Sequence, residues 1–200
     1  MKTRLLLAVA VAAVIGLTSC NGGDSKLAGE LVGTWKGVSG CVNSNRGNGG
    51  EMTCTPTFTF VRTDGTNGGT ITIATDYTVA KDVETLASNL PVKATVNGNV
   101  DASGTWTVKD GDEIIVNLDP SKTVVNVDTS SLALNYATFT DAPVDSLNKI
   151  RARVVANVPD VVKHMVAGKV QKMRKFDDVR ITGNTMTLEV GNDKMTLIKQ

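Results

Sequence analysis

Hydrophobic alternation with a period of two, broken at short intervals by turn residues, is the feature of this sequence that most narrows its fold. TFTFVRTDG places Phe58, Phe60 and Arg62 on one face, GGTITIATDYTV places Ile71 and Ile73 together, and GTWTVKDGDEIIVNLD groups Trp106 with Val108, then Ile114, Val116 and Leu118. Successive strand side chains point to opposite faces, so such runs, rich in Val, Ile, Thr and aromatics, read as half-buried strands. TDGTNGG, VNGNV, KDGDE, LDPSK, ITGN and VGND carry the Gly, Asn, Asp or Pro that tight turns require. Short strands joined by hairpins predict a mainly β, antiparallel sandwich or barrel, with Trp35, Phe58, Phe60 and Trp106 in its core.

Residues 141–175 break the pattern. Leu147, Ile150 and Val154 follow helical spacing, as do Val162, Val166, Val170 and Met173 after Pro159. Proline is tolerated in the first turn of a helix and costly in its interior, so the spacing predicts two helices joined near Val158. From residues 145 to 175 the insert is strongly basic, with Lys149, Arg151, Arg153, Lys163, Lys169, Lys172, Arg174 and Lys175 opposed only by Asp145 and Asp160. Its apolar positions hold no Trp or Phe to grip a membrane interface, so its apolar face is expected to close one opening as a lid, with the basic face in water. Strands are expected to resume in DDVRITGNTMTLEVGNDKMTLIKQ.

The chain opens with Lys2 and Arg4 ahead of an apolar run from Leu5 to Leu17, the pattern of a secretory leader. That run is shorter than the roughly 20 apolar residues of a transmembrane helix. Leu17, Thr18, Ser19 and Cys20 resemble the lipobox of bacterial lipoproteins, which implies that Cys20 becomes the lipidated first residue of the mature chain. Stable anchoring takes more than one acyl chain, and three on one cysteine, as the resemblance implies, would suffice. An ordinary secreted protein is the alternative. The expected organisation is a leader over 1–19, a lipidated tether over 20–29 and one β domain over 30–200.

In an exported chain the remaining pair, Cys41 and Cys54, suggests a disulfide across the Asn- and Gly-rich VNSNRGNGGEMT, with two free thiols as the alternative. Charge is nearly balanced at 21 Lys and Arg against 20 Asp and Glu, so nothing global calls for nucleic acid.

LVGTWKGV, GTWTV and the closing MTLEVGNDKMTLIK resemble the lipocalin-like lipoproteins of Bacteroidetes-type bacteria, which are small calycin-style barrels. The resemblance implies an up-and-down β-barrel carrying the two-helix insertion before its last strands. It matches Gly33 and Trp35 to the family's Gly-x-Trp, whose Trp closes one end of the barrel, and it places the protein in the cell envelope, with the outer membrane expected.

Catalytic signatures are missing from the sequence. His164 is its one histidine, and beside Lys163 it reads as a surface or helix-interface residue. Asp110, Asp112 and Glu113 in KDGDE are explained by the hairpin turn, because no twelve-residue calcium loop surrounds them. GNGG lacks the helix and lysine of a phosphate cradle. No cofactor and no enzymatic activity are expected. The expected role is binding a small apolar or amphipathic ligand, with an envelope-assembly or inhibitor protein built on a filled barrel as the alternative.

Overall fold

A computed structural model describes residues 22–38, 43–45, 50–85, 88–136 and 144–200. Ten strands are described: β1 (Gly33–Gly37), β2 (Asn43–Asn45), β3 (Gly50–Arg62), β4 (Gly68–Thr85), β5 (Ser88–Lys109), β6 (Glu113–Leu118), β7 (Val124–Tyr136), β8 (Lys175–Thr182), β9 (Thr185–Val190) and β10 (Asp193–Lys199). Two α-helices accompany them, α1 (Gly22–Leu31) and α2 (Val144–Val170).

Eight strands close a ring in the order β3, β4, β5, β6, β8, β9, β10, β1. The short β1 makes the closure by pairing on both sides, Trp35 lying opposite Lys199 of β10 and Phe58 of β3. Every neighbouring pair is antiparallel. The expected mainly β, antiparallel barrel is therefore the fold, with helix α2 before the last strands.

Two strands stand outside the ring, because β4 and β5 are 18 and 22 residues long and outrun their neighbours. At about 3.3 Å per residue, β4 alone extends about 60 Å. The C-terminal part of β5, Gly104–Lys109, pairs with β6 inside the ring, while Val92–Asp101 pairs with β7 above it. Likewise, among the described residues β2 pairs with the first residues of β3. The result is a closed lower ring continued upward by a tall open wall.

The sequence expectation VNGNV as a turn is overturned here, since residues 96–100 run straight through β5. Gly98 lies between Tyr77 of β4 and Val127 of β7. The Tyr77 ring crosses Gly98 to donate its hydroxyl to the Asn126 carbonyl at 2.7 Å, and a Cβ at 98 would overlap both groups. The glycine marks a close approach inside a strand.

Two helical expectations are also corrected. The stretch read as a tether over 20–29 is helical from Gly22 onward, and Leu27, Ala28 and Leu31 of α1 are buried in the core. The two helices expected to meet near Val158 are one continuous helix with Pro159 inside it. An interior proline costs roughly 3 kcal/mol through its missing N–H and its clash with the carbonyl four residues back. That carbonyl belongs to Val155, which lies on the exposed side of the helix at 40% exposure. Burial of Val154, Val162, Val166 and Val170, each worth about 1.5 kcal/mol or more, outweighs the penalty.

Candidate functional site

Among the described residues, the barrel interior is where the fold brings the largest cluster of side chains together, and its two ends are built differently. At the lower end lie the β3–β4 turn (63–67), the β5–β6 turn (110–112) and the β8–β9 turn (183–184). Helix α1 crosses this end. Asp24 accepts a hydrogen bond from the Gly111 amide at 2.6 Å, Arg62 reaches Ser25 at 3.3 Å, and Lys199 donates to the Glu30 carbonyl at 3.2 Å. Trp35 is wholly buried and donates its indole N–H to the Leu31 carbonyl at 2.7 Å, with the Lys199 ammonium 5.0 Å over its ring. Gly33 turns the chain from α1 into β1 at a φ of 122°, a conformation that side-chain-bearing residues rarely adopt.

Above α1, aromatic rings fill the ring of strands. Phe58 meets Phe176 edge-on at 5.5 Å and stacks near Phe60 at 6.4 Å, and Phe60 meets Trp106 edge-on at 5.6 Å. The Trp106 indole N–H is shared between the Thr70 carbonyl at 3.0 Å and the Val61 carbonyl at 3.3 Å. Offset and edge-to-face rings with a satisfied indole make a firm floor.

Higher up, most inward positions are small, Cys54, Thr75, Val79, Val96, Val100 and Ala102 being buried together with the larger Met52 and Tyr77. Helix α2 covers this zone, packing chiefly on β7 with further contact on β4 and β5. Val162, Val166 and Val170 join the same core cluster as the floor and the wall. Near its end, Lys169 is held below the usual lysine range by burial, an effect that the Asp193 carboxylate at the β9–β10 turn opposes. The helix thus runs from the tall wall toward that turn, over the upper end of the ring.

This zone is apolar in its chemistry. Among the described residues, Thr75 is the one buried polar side chain apart from the Tyr77 hydroxyl, whose ionisation burial pushes upward. Among the described residues, no carboxylate or ammonium group is buried there. Side chains of this kind suit contact with hydrocarbon and at most a hydrogen bond or two.

The residues weighed for catalysis lie elsewhere. His164 is exposed on α2, with Nδ1 2.7 Å from the Asp160 carbonyl one turn earlier. Asp110 and Gly111 both have positive φ, 55° and 81°, as the β5–β6 turn demands. Asp110 pairs with Lys109 at 3.5 Å, and Glu113 pairs with Lys175 at 2.6 Å. Among the described residues, no three His, Cys, Asp or Glu side chains gather as metal ligands would. Outside the barrel, a groove of about 170 Å³ lies along Asp178, Arg180, Thr187, Leu188, Glu189 and Lys194. Its charges are mixed, with Lys194 pairing Glu189 at 2.8 Å.

Of the site residues expected from sequence, Val154, Val162 and Val166 are buried on α2, and Gly33 and Trp35 meet α1 at the lower end. Leu147 and Ile150 lie on α2, but their side chains fall outside the described residues, as do Cys20 and Cys41 entirely. Cys54 is buried on β3. The sequence reading missed α1, although Asp24 in its first turn and the spacing of Leu27, Ala28 and Leu31 were visible signals. No protein-family model matches the chain, and comparison with curated proteins finds no relative.

Proposed function

We propose that this protein is a lipid-anchored envelope lipoprotein whose barrel holds a small apolar or amphipathic molecule between the aromatic floor and α2, in a binding rather than a catalytic role. The observation that carries the binding reading is the uncharged, mostly small-residue zone from Cys54 to Ala102, covered by the valines of α2. An environment-sensitive apolar dye should brighten several-fold on the purified protein and saturate at one dye per chain. Weak, unsaturable brightening would mark surface adsorption and sink the reading. The filled floor favours the second reading, a scaffold that presents its surface to an envelope protein.

The anchoring half rests on the leader and on Leu17–Cys20, whose resemblance to a lipobox makes Cys20 the lipidated residue and the outer membrane its proposed site. Cys20→Ala should leave the leader uncleaved or shift the protein out of the membrane fraction. Unchanged processing with unchanged membrane retention would contradict it.

A Cys41–Cys54 disulfide is part of the same proposal, because an exported chain meets an oxidising compartment. Closing that loop would contribute about 2 to 4 kcal/mol. Peptide mapping without reductant should recover the two cysteines in one linked species. Ready alkylation of both in the folded protein would refute the pairing.

A further inference from the structure

We infer that the anchored protein stands on the bilayer on its α1-capped end, with α2 and the tall wall directed away from the lipid. The inference rests on the proposed lipidation of Cys20. Its structural basis is that α1 begins at Gly22, so only Asn21 separates the anchor from a helix packed into the barrel. Two residues of extended chain span at most about 7 Å. The lower end is therefore pinned within a few ångströms of the headgroups, whereas a long flexible tether would let the body turn freely.

Without this constraint, α2 would be the natural membrane-binding element. Lys149, Arg151, Arg153, Lys163, Lys172 and Arg174 are exposed on it and the turn after it, and among the described residues no ion pair neutralises them. A cation beside an anionic leaflet is worth about 1 kcal/mol, but the attraction decays over a screening length of about 8 Å at physiological salt. The end of α2 meets the barrel at the top of β8, where the Arg174 backbone carbonyl accepts a hydrogen bond from the Val116 amide at 2.9 Å. Measured along β6 to the β5–β6 turn where α1 begins, Val116 stands four residues above Asp112, about 10 Å after strand tilt, so Lys172 and Arg174 lie about one screening length up. Lys149 to Lys163 lie further back along α2, which packs chiefly on β7 of the tall wall.

Toppling does not bring α2 to the surface either. The start of α1 lies against the β5–β6 turn, with Gly23 beside Gly111 and Asp24 bonded to its amide. A body pivoting about that edge would first lay the outer face of β5 and β6 on the lipid, and α2 packs on the inner face. The lower end itself carries locally paired charge, Lys26 with Glu30 at 3.8 Å and Lys109 with Asp110 at 3.5 Å, so it neither repels nor strongly attracts a charged leaflet. The acyl chains supply the hold, and the short link supplies the orientation.

The test uses the full lipidated chain reconstituted into phosphatidylcholine and phosphatidylglycerol vesicles that contain lipids with a nitroxide quencher on the headgroup. A fluorophore is attached through Asp64→Cys in the lower β3–β4 turn or Lys163→Cys on α2, with the signal of the parent chain treated identically subtracted. Flotation comes first: a chain that fails to float overturns the anchoring reading and this inference with it. In a chain that floats, the dye at position 64 should be quenched several-fold more strongly than the dye at 163. Lengthening the link with a flexible Gly-Ser spacer between Asn21 and Gly22 should narrow that difference. Equal or stronger quenching at 163 in the unlengthened chain would overturn the orientation while leaving the anchor intact.

Discussion

Replacing Val162 and Val166 together with Asp is expected to unfold the domain. The two side chains are 3% and 0% exposed, and both belong to the cluster that joins α2 to the barrel. A carboxylate placed there without a partner costs several kcal/mol, and two come close to the 5 to 15 kcal/mol by which a typical domain is stable. Circular dichroism on heating should show no cooperative transition, or one lowered by about 15 °C or more. Val161→Asp provides the control, because Val161 on the same helix is 46% exposed and the change should shift the midpoint by a few degrees at most. A double variant that melts like the parent and loses only its binding to anionic vesicles would assign α2 to the membrane instead of the barrel.

Gly98→Val should be nearly as damaging for a different reason. The new side chain would overlap the Tyr77 hydroxyl and the Asn126 carbonyl, and the carbonyl is main chain in the β5–β7 ladder. Relief requires the wall to part where α2 packs on β7. An overpacked site of this kind costs about 3 kcal/mol, or about 6 to 12 °C in a domain of this length. Tyr77→Phe removes only the hydrogen bond at 2.7 Å and should cost about 1 kcal/mol. Equal melting temperatures for Gly98→Val and the parent would mean that the Tyr77 ring does not cross β5 at this glycine.

These positions also show how far the sequence could be read. Alternation identified the inward side chains well, and Phe58, Phe60, Ile71, Ile73, Trp106, Ile114 and Val116 are all buried. Period-two patterning cannot distinguish a sandwich from a barrel, because closure depends on β1 meeting β3 and β10, partners distant in the chain. The barrel was therefore legible only through the lipocalin resemblance. Gly98 misled because a glycine that makes room for a ring looks, in one dimension, like a glycine that makes a turn. Pro159 misled because the cost of an interior proline depends on whether the orphaned carbonyl faces water, and the sequence does not show which way Val155 points. Helix α1 escaped notice because Gly22, Gly23 and Gly29 weaken its intrinsic helicity, and tertiary burial of Leu27, Ala28 and Leu31 overrides that preference.

The candidate site was legible in its chemistry and not in its location. The abundance of Val and Ile, with one histidine in the chain, pointed to an apolar interior. The division into an aromatic floor and a small-residue zone beneath α2 follows from strand register, which brings Val100 beside Thr75 and Ala102 beside Ile73.

Native mass spectrometry of the full chain, extracted in mild detergent from a bacterial envelope, tests the central claim most directly. The binding account predicts a species heavier than the lipidated protein by the mass of one small molecule, released intact on collisional activation and lost from the unfolded Val162→Asp, Val166→Asp variant. A lipidated chain that flies bare under every gentle condition, with its fold intact, would contradict the account and leave a filled scaffold in its place.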